Sequence, residues 1–548
     1  MLVTSRRRLE NQRFVGINSI LFVDLAPMVI PNNWRLWKSR RRIIVMRAWW
    51  LLLLAFSNSW TSAVSNAAES SEGNPTPPTS LLLAQAPESD GDEPALAPLP
   101  PPADVMDQEF STQPYNMPTP INADLQNILG RLDALEKGAA PQKPDVNADL
   151  KKEFDENDGT GKWVDLSGDK WAVKLGGHMQ LDSINWADVE NPPVPAYNYV
   201  EFRRLRLMAD GVGYGVYDFR IQIDIEPEGE DNVTTPVTVI KDAYLTMNEI
   251  PLIDRWRIGN FFVPFSLEQV TNDTNNIFLE RSIPTQGIFA ADREVGMAVY
   301  TVNDAKDFTY TTGLFIDSLS EATKERIDGN QGQRISNRIT YLPYYDEPSN
   351  GRYLVHTGAG VLYTHDQDQL ARFRARPQIH EGPFLIDTGN FPARSYTTGN
   401  IELATVWGPL SVQSEMFLSP VDRINDDAAT ISGAYVYCSY FLTGENRIYE
   451  RYGQHGAQFG RNVPFSNFFL TPGGCGPGAW ELKARWSNLT VTQLDSGQYN
   501  DFTFGFNWYW SDRTRVMFDW IHPMTNAQSQ PFGSTTSDIL AMRFDFNF

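Results

Sequence analysis

From about residue 163 onward, apolar and polar residues alternate with a period of two. Phe502, Phe504, Phe506, Trp508 and Trp510 interleave with Asp501, Thr503, Gly505, Asn507 and Tyr509. Phe219, Ile221, Ile223 and Ile225 interleave with Arg220, Gln222, Asp224 and Glu226, and Met542, Phe544, Phe546 and Phe548 with Arg543, Asp545 and Asn547. Successive side chains of a strand point to opposite faces, so each segment has one apolar and one polar face. A soluble sandwich would turn the apolar face inward. Three features favour the inverse, a barrel in lipid: strands near ten residues, an apolar face heavy in Phe and Trp, and an aromatic closing the last strand.

The pattern predicts sixteen strands, at roughly 171–181, 199–209, 214–226, 238–248, 254–262, 294–303, 306–316, 333–342, 352–364, 395–407, 409–418, 431–443, 478–489, 500–510, 513–522 and 536–547. An even number leaves no open edge if the last strand pairs with the first. Short turns (210–213, 304–305, Gly408, 511–512) alternate with long loops (182–198, 263–293, 365–394, 523–535), which puts both termini on the short-turn, periplasmic side. Residues 444–477 break the rule: a long segment falls on the short-turn side, so either the count fails there or the segment folds into the lumen. The fold class expected is all-β, a 16-stranded antiparallel transmembrane β-barrel spanning 163–548.

The period changes upstream. Ile121, Leu125, Ile128, Leu132 and Leu135 are spaced 4, 3, 4, 3, an a/d seam that predicts a short coiled-coil helix over 121–137. Residues 68–120 hold 12 of the 36 prolines and read as a disordered Pro/Ala-rich linker. Arginines 40, 41, 42 and 47, then the apolar run Ala48–Phe56 and the small residues to Ala68, have the layout of a signal peptide over 1–67. Met46 or Met28 would then be the true start.

Charge narrows the function. Asp and Glu outnumber Lys and Arg by 67 to 46, for a formal charge of −21. Cleavage after residue 67 would remove ten basic and two acidic residues and leave −29. Phosphate backbones are bound by basic surfaces, so no nucleic acid is expected as a partner. Six histidines and two cysteines leave little room for metal or cofactor chemistry, and none is expected. Cys438 and Cys475 fit no zinc spacing and could form one disulfide.

Several motifs resemble the phosphate-selective porin O/P family of Gram-negative outer membranes. They are Phe202-Arg-Arg-Leu-Arg-Leu207, Lys241-Asp-Ala-Tyr-Leu245, the stretch Arg257–Glu268, Glu280-Arg281, the stretch Tyr440–Arg447 and the stretch Gly478–Ser487, in order from about residue 163 to the end. The resemblance implies a homotrimer of 16-stranded barrels, pores constricted by inward loops and lined by basic residues, and selection of phosphate or polyphosphate. It also implies a long segment between the fifth and sixth motifs. Two departures argue against carrying phosphate over: Phe262 stands where the family often has lysine, and the mature chain is strongly acidic.

Alternation gives the candidate pore lining. Leu205 and Leu207 facing lipid place Arg204 and Arg206 in the lumen, and Arg203 outward unless a bulge shifts the phase or it lies at a protomer interface. Arg220, Asp242, Tyr244, Arg255 and Arg257 fall on inward faces; Arg281 and Arg293 lie in the loop 263–293. Guanidinium forks replace the water of a dehydrating anion, whereas Arg–Asp pairs that merely brace the wall are the plainer reading of any one residue. Arg372, Arg374, Arg376 and Arg394 could form an outer funnel. The function expected is a passive, anion-preferring outer-membrane diffusion channel for small anionic or polar solutes. No catalytic residues are assigned. Outer-membrane lipid surrounds the barrel, and the barrel-assembly machinery reads the terminal Phe548. The rivals are a structural barrel tethering the envelope and a secreted β-rich hydrolase using Asp224, Glu226 and Asp242.

Overall fold

The computed structural model describes residues 147–157, 163–166, 170–190, 195–226, 237–316, 332–365, 369–469 and 475–548. The signal segment, the Pro-rich linker and the heptad helix lie outside them. Sixteen wall strands follow in chain order: β1 (Trp171–Glu190), β2 (Tyr199–Gly213), β3 (Tyr217–Glu226), β4 (Val237–Asn248), β5 (Arg255–Phe262), β6 (Arg293–Val302), β7 (Phe308–Ile316), β8 (Gln333–Tyr345), β9 (Tyr353–His365), β10 (Phe391–Trp407), β11 (Leu410–Arg423), β12 (Ala429–Phe441), β13 (Ala479–Thr490), β14 (Gln498–Tyr509), β15 (Thr514–Thr525) and β16 (Thr536–Asn547).

Each strand pairs antiparallel with the next, and β16 returns to β1 from His178↔Asn547 to Glu190↔Thr536. The barrel is closed, so backbone groups of the wall strands pair within the wall, as a hydrocarbon environment demands. At the seam the backbones of Gly177 and Phe548 exchange two bonds of 3.0 Å. A Cβ on Gly177 would lie 2.6 Å from the Phe548 ring, so the glycine makes room for the terminal aromatic.

The alternation read from sequence holds. In β14 Asp501, Thr503, Asn507 and Tyr509 are buried, while Phe502 and Phe504 are exposed. The charged face is therefore the inside. At the short-turn end, outward rings form a belt: Trp480 stacks on Trp508 at 4.9 Å, Trp508 meets Trp510 at 5.3 Å, and Trp510 meets Phe544 at 5.8 Å. Amphipathic rings collect at a membrane–water boundary.

Two short elements precede the barrel, neither expected from sequence: helix α1 (Ala148–Asn157) and a strand, Val164–Leu166, that pairs with β1. Asn147 moors α1 at the short-turn end, accepting from Gly215 N at 2.7 Å and donating to Lys170 O at 3.1 Å. Cys438 and Cys475 are both exposed and both free.

Candidate functional site

Two β-bulges set the luminal face. Between β1 and β2 the register jumps from Gln180↔Arg204 to Leu181↔Phe202, leaving Arg203 as the extra residue. The bulge exception therefore applies to Arg203, which turns inward: its Nε donates to Glu280 Oε1 at 2.7 Å. Between β3 and β4 the jump from Gln222↔Asp242 to Ile223↔Ile240 leaves Lys241 extra, and Lys241 and Asp242 are both buried. A bulge flips the phase locally and re-aims a side chain. Strict alternation cannot show this.

The lumen is occupied by three insertions. The first is loop 263–292, which carries the short helix α2 (Leu267–Val270). Glu415 of β11 holds its start, accepting from Ser266 Oγ at 3.1 Å and Glu268 N at 2.8 Å. The far wall holds its middle: Lys483 donates to Ile277 O at 2.8 Å, Arg515 to Asn276 O at 2.7 Å, Arg485 to Glu280 O at 2.9 Å, and Arg543 to Leu279 O. Asp273 bridges Arg204 at 2.8 Å and Arg206 at 2.5 Å. Burial alone would raise the Asp273 pKa, but Arg206 and Arg204 hold it well below the carboxylate range. Glu280 is likewise held down against burial by Arg203, Arg204 and Arg543.

The second insertion resolves the long segment on the short-turn side. It enters the barrel as a hairpin, Tyr449–Gly453 paired with Gly456–Phe459, whose turn is Gln454–His455. Wall arginines cap it along its length. Arg255 donates to Gly453 O, Arg220 to Gln454 Oε1 and Arg338 to Ala457 O, each at 2.9 Å. Arg257 Nη1 lies 3.5 Å from His455 Nδ1. Gln454 also donates to the Tyr244 hydroxyl. Hairpin and loop meet where Phe459 N donates to Thr271 Oγ1 at 3.4 Å.

The third insertion is the segment 369–390, docked across the long-loop end. Gln378 donates to Ser487 Oγ at 2.7 Å, and Tyr199 OH donates to Glu381 O at 2.8 Å. The four arginines proposed as a funnel are engaged there. Arg372 pairs with Asp387 and Arg394 with Asp422, while Arg374 and Arg376 stack on Phe384, each at 4.3 Å.

Of the nine residues chosen from sequence, eight are buried on the inner face, and Arg281 is half-buried in the loop. Most carry wall-bracing partners. Arg206 pairs with Asp224 at 2.5 Å, Arg220 with Asp210 at 2.6 Å, and Arg293 with Asp242 at 3.0 Å. Among the described residues fifteen buried Lys and Arg face sixteen buried Asp and Glu, so the lumen is not a uniformly basic tube. The imbalance is local. No described carboxylate lies within ion-pair distance of Arg257. It donates to Thr246 Oγ1 at 3.0 Å and stacks on Tyr244 at 4.1 Å and Tyr300 at 5.2 Å. Arg447, at the hairpin base, is held by Gln413 at 2.9 Å, the Tyr437 hydroxyl at 2.8 Å and the Phe459 ring at 3.5 Å. Phe262 stands between loop and hairpin, with the Arg293 guanidinium 3.8 Å from its centroid, Arg281 at 5.6 Å and the His455 ring at 5.1 Å.

The inward-facing Arg334, Arg338, Lys483, Arg485, Arg515 and Arg543 belong to the same lining. The period-two pattern of β8, β13, β15 and β16 carried that signal. Arg447 closes the motif Tyr440–Arg447, whereas nothing marked His455.

A closed sixteen-stranded barrel with an apolar, aromatic-belted exterior and a charged lumen narrowed by inserted loops is a porin of the outer membrane. The family model described as phosphate-selective porin O and P matches residues 173–548, and this chain belongs to that family. An uncharacterized protein of Caulobacter vibrioides is 28% identical over 304 residues, covering 52% of this chain and 57% of that protein, so the match spans little more than half of the relative. The anion-selective porin from Comamonas acidovorans is similar in structure at a TM-score of 0.42 and 14% identity, over 69% of this chain and 100% of that one. The outer membrane channel DcaP of Acinetobacter baumannii gives 0.42 and 11%, over 70% and 99%. The OmpT outer membrane protein of Vibrio cholerae in its trimer form gives 0.43 and 9%, over 69% and 100%.

Proposed function

We propose that this protein is a passive diffusion channel of the outer membrane that prefers small anions. The observation that carries this reading is the basic collar where loop and hairpin meet. Arg281 and Arg293 flank Phe262, Arg220 and Arg257 lie just beyond it against the hairpin tip, and Arg257 has no described carboxylate at ion-pair distance. Asp218 and Asp242 act on Arg257 from beyond ion-pair distance, so its charge is compensated only in part. Guanidinium donors lower the entry barrier for an anion and raise it for a cation.

The reading places the short-turn end and both termini in the periplasm, with the segment before the barrel as an exported tether. Three barrels assemble side by side, and the assembly machinery engages Phe548, whose ring is exposed. Phosphate and polyphosphate-like anions are candidate solutes. Asp224 and Asp242, the carboxylates of the hydrolase reading, are each bound by an arginine, Arg206 and Arg293. The depth of filling favours one second reading, a structural barrel that conducts little. The reversal potential of the refolded protein in a planar bilayer under a KCl gradient separates them. An anion-directed potential supports the channel, a cation-directed one refutes its selectivity, and no current from a folded protein supports the structural barrel.

A further inference from the structure

Away from the pore lining, the segment 369–390 brings one imidazole and two carboxylates together at the long-loop end. Glu201 of β2 presents its two oxygens to His380 Nδ1 at 3.1 and 3.0 Å, and Glu381 Oε1 lies 3.7 Å from His380 Nδ1. One ligand atom from each residue falls within 4.8 Å of the other two. Donors bound to a zinc ion stand roughly 3.0–3.4 Å from one another, so small side-chain movements close the trio around an ion. Two carboxylates and a neutral imidazole carry the charge that a divalent cation cancels, and the imidazole favours zinc-class ions over calcium or magnesium. The backbone behind the trio is fixed. Tyr199 OH donates to Glu381 O at 2.8 Å and accepts from Glu381 N at 3.0 Å, and Arg376 Nη1 donates to His380 O at 2.8 Å. Such outer bonds hold ligands in place. Arg203, Arg543 and Arg204 act on Glu201 but are themselves paired with Glu280 and Asp273. Glu201 and His380 are 15% and 17% exposed and Glu381 40%, so a hydrated ion reaches them.

We propose that Glu201, His380 and Glu381 bind a divalent transition-metal ion of the zinc class, with water completing its coordination, and that the ion fastens segment 369–390 across the long-loop mouth. The segment leaves the wall between β9 and β10. It reaches β13 and β14 through Gln378, which donates to Ser487 Oγ and accepts from Thr503 Oγ1, each at 2.7 Å. It reaches β2, nearly opposite its point of departure in the ring of sixteen strands, through Tyr199 and this trio. An ion that binds only the docked arrangement stabilises it by mass action. A chain with six histidines gave no sign of such a site, because Glu201 and His380 meet across 179 positions.

The test is calorimetric titration of zinc chloride into the refolded, EDTA-treated protein in detergent, with heat-modifiable migration confirming that each variant folds. The unaltered protein binds zinc saturably, one ion per protomer, and calcium chloride gives no saturable heat. His380→Ala weakens zinc binding about a hundredfold. Should that variant not fold, Glu381→Gln, on the exposed edge of the trio, weakens it about tenfold. Zinc also slows tryptic cleavage after Arg372, Arg374 and Arg376 in the unaltered protein and leaves it unchanged in His380→Ala. Absence of saturable zinc binding, binding that survives the substitutions, or calcium binding of equal strength overturns the site. Zinc binding without protection from trypsin overturns the fastening of the segment. None of these readouts depends on current, so their failure leaves the channel reading untouched.

Discussion

The Arg293 guanidinium lies over the Phe262 ring, 3.8 Å from its centroid, and the two residues are direct cross-strand partners on β6 and β5. A desolvated cation over an aromatic face is held by the ring quadrupole, worth up to about 2 kcal/mol. The phenylalanine thus does not simply delete a cation. It positions the neighbouring ones.

Replacing that ring by a charge trades stability for selectivity. Phe262→Lys sets an ammonium between Arg281 and Arg293 and loses the stacking, so the barrel is destabilised by about 2 kcal/mol. The added charge shifts the KCl reversal potential further toward the anion value. Thermal unfolding and bilayer recording check the two halves; a stabilised variant, or one shifted toward cations, contradicts the placement of Phe262 in the collar.

Glu280 is the central anchor of the inward loop, binding Arg203 at 2.7 Å and Arg543 at 2.8 Å with Arg204 close by at 3.9 Å. Glu280→Gln removes this shared carboxylate while Arg543 keeps Asp182 and Arg204 keeps Asp273, at a local cost of roughly 1–3 kcal/mol. Loop 263–292 then undocks, single-channel conductance rises, and protease cuts within the loop. An unchanged conductance and cleavage pattern would show that the backbone bonds from Lys483, Arg515 and Arg543 suffice.

Acid should release the hairpin before the loop. His455 faces Arg257 of β5, Arg220 of β3, Arg293 of β6 and Arg281 of the loop; burial first, and then these four cations, push its pKa well below 6.5. A released His455 regains its ordinary value, so the released state binds the extra proton. Docking is therefore fully favoured above about pH 6.5 and weakens as pH falls below it. The depressed Asp273 and Glu280 hold the loop to stronger acid, because their stabilisation is complete above the ordinary carboxylate range and is lost progressively only as pH falls from there toward their lowered folded values. Conductance rises between pH 7.5 and 5, and His455→Gln, which cannot titrate, flattens the profile. A flat profile in the unaltered protein would refute the linkage.

The cysteines give an independent check of the wall. Cys438 faces outward within the wall toward the short-turn end of β12, paired with Val412 of β11 and Ala484 of β13, whereas Cys475 lies on the connection outside the wall, its Sγ donating to Phe468 O at 3.0 Å. In liposomes a water-soluble maleimide labels Cys475 and spares Cys438, and reducing agent leaves gel migration unchanged. Equal labelling of both would contradict the lipid-facing assignment.

The sixteen strands were legible because a barrel in lipid obeys one local rule: every second side chain meets hydrocarbon. The rule also located Arg204, Arg206, Arg220, Arg255 and Arg257 inside. It failed at Arg203 and Lys241, where a bulge adds a residue and both phases point inward. Strand lengths were underread at β1, which runs to Glu190, because the wall extends beyond the membrane's apolar band and the alternation fades there. Partners were the least legible. Arg543 meets Asp182 across 361 positions of chain, and His455 reaches Arg257 across 198, contacts set by closure of the barrel and not by any local pattern.

The central claim is anion preference, and the reversal potential under a KCl gradient tests it most directly. Refolded protein in a planar bilayer should give a potential displaced toward the chloride equilibrium value, reduced toward zero by Arg257→Gln combined with Arg293→Gln. A potential displaced toward the potassium value, or one indifferent to those two substitutions, would contradict the account.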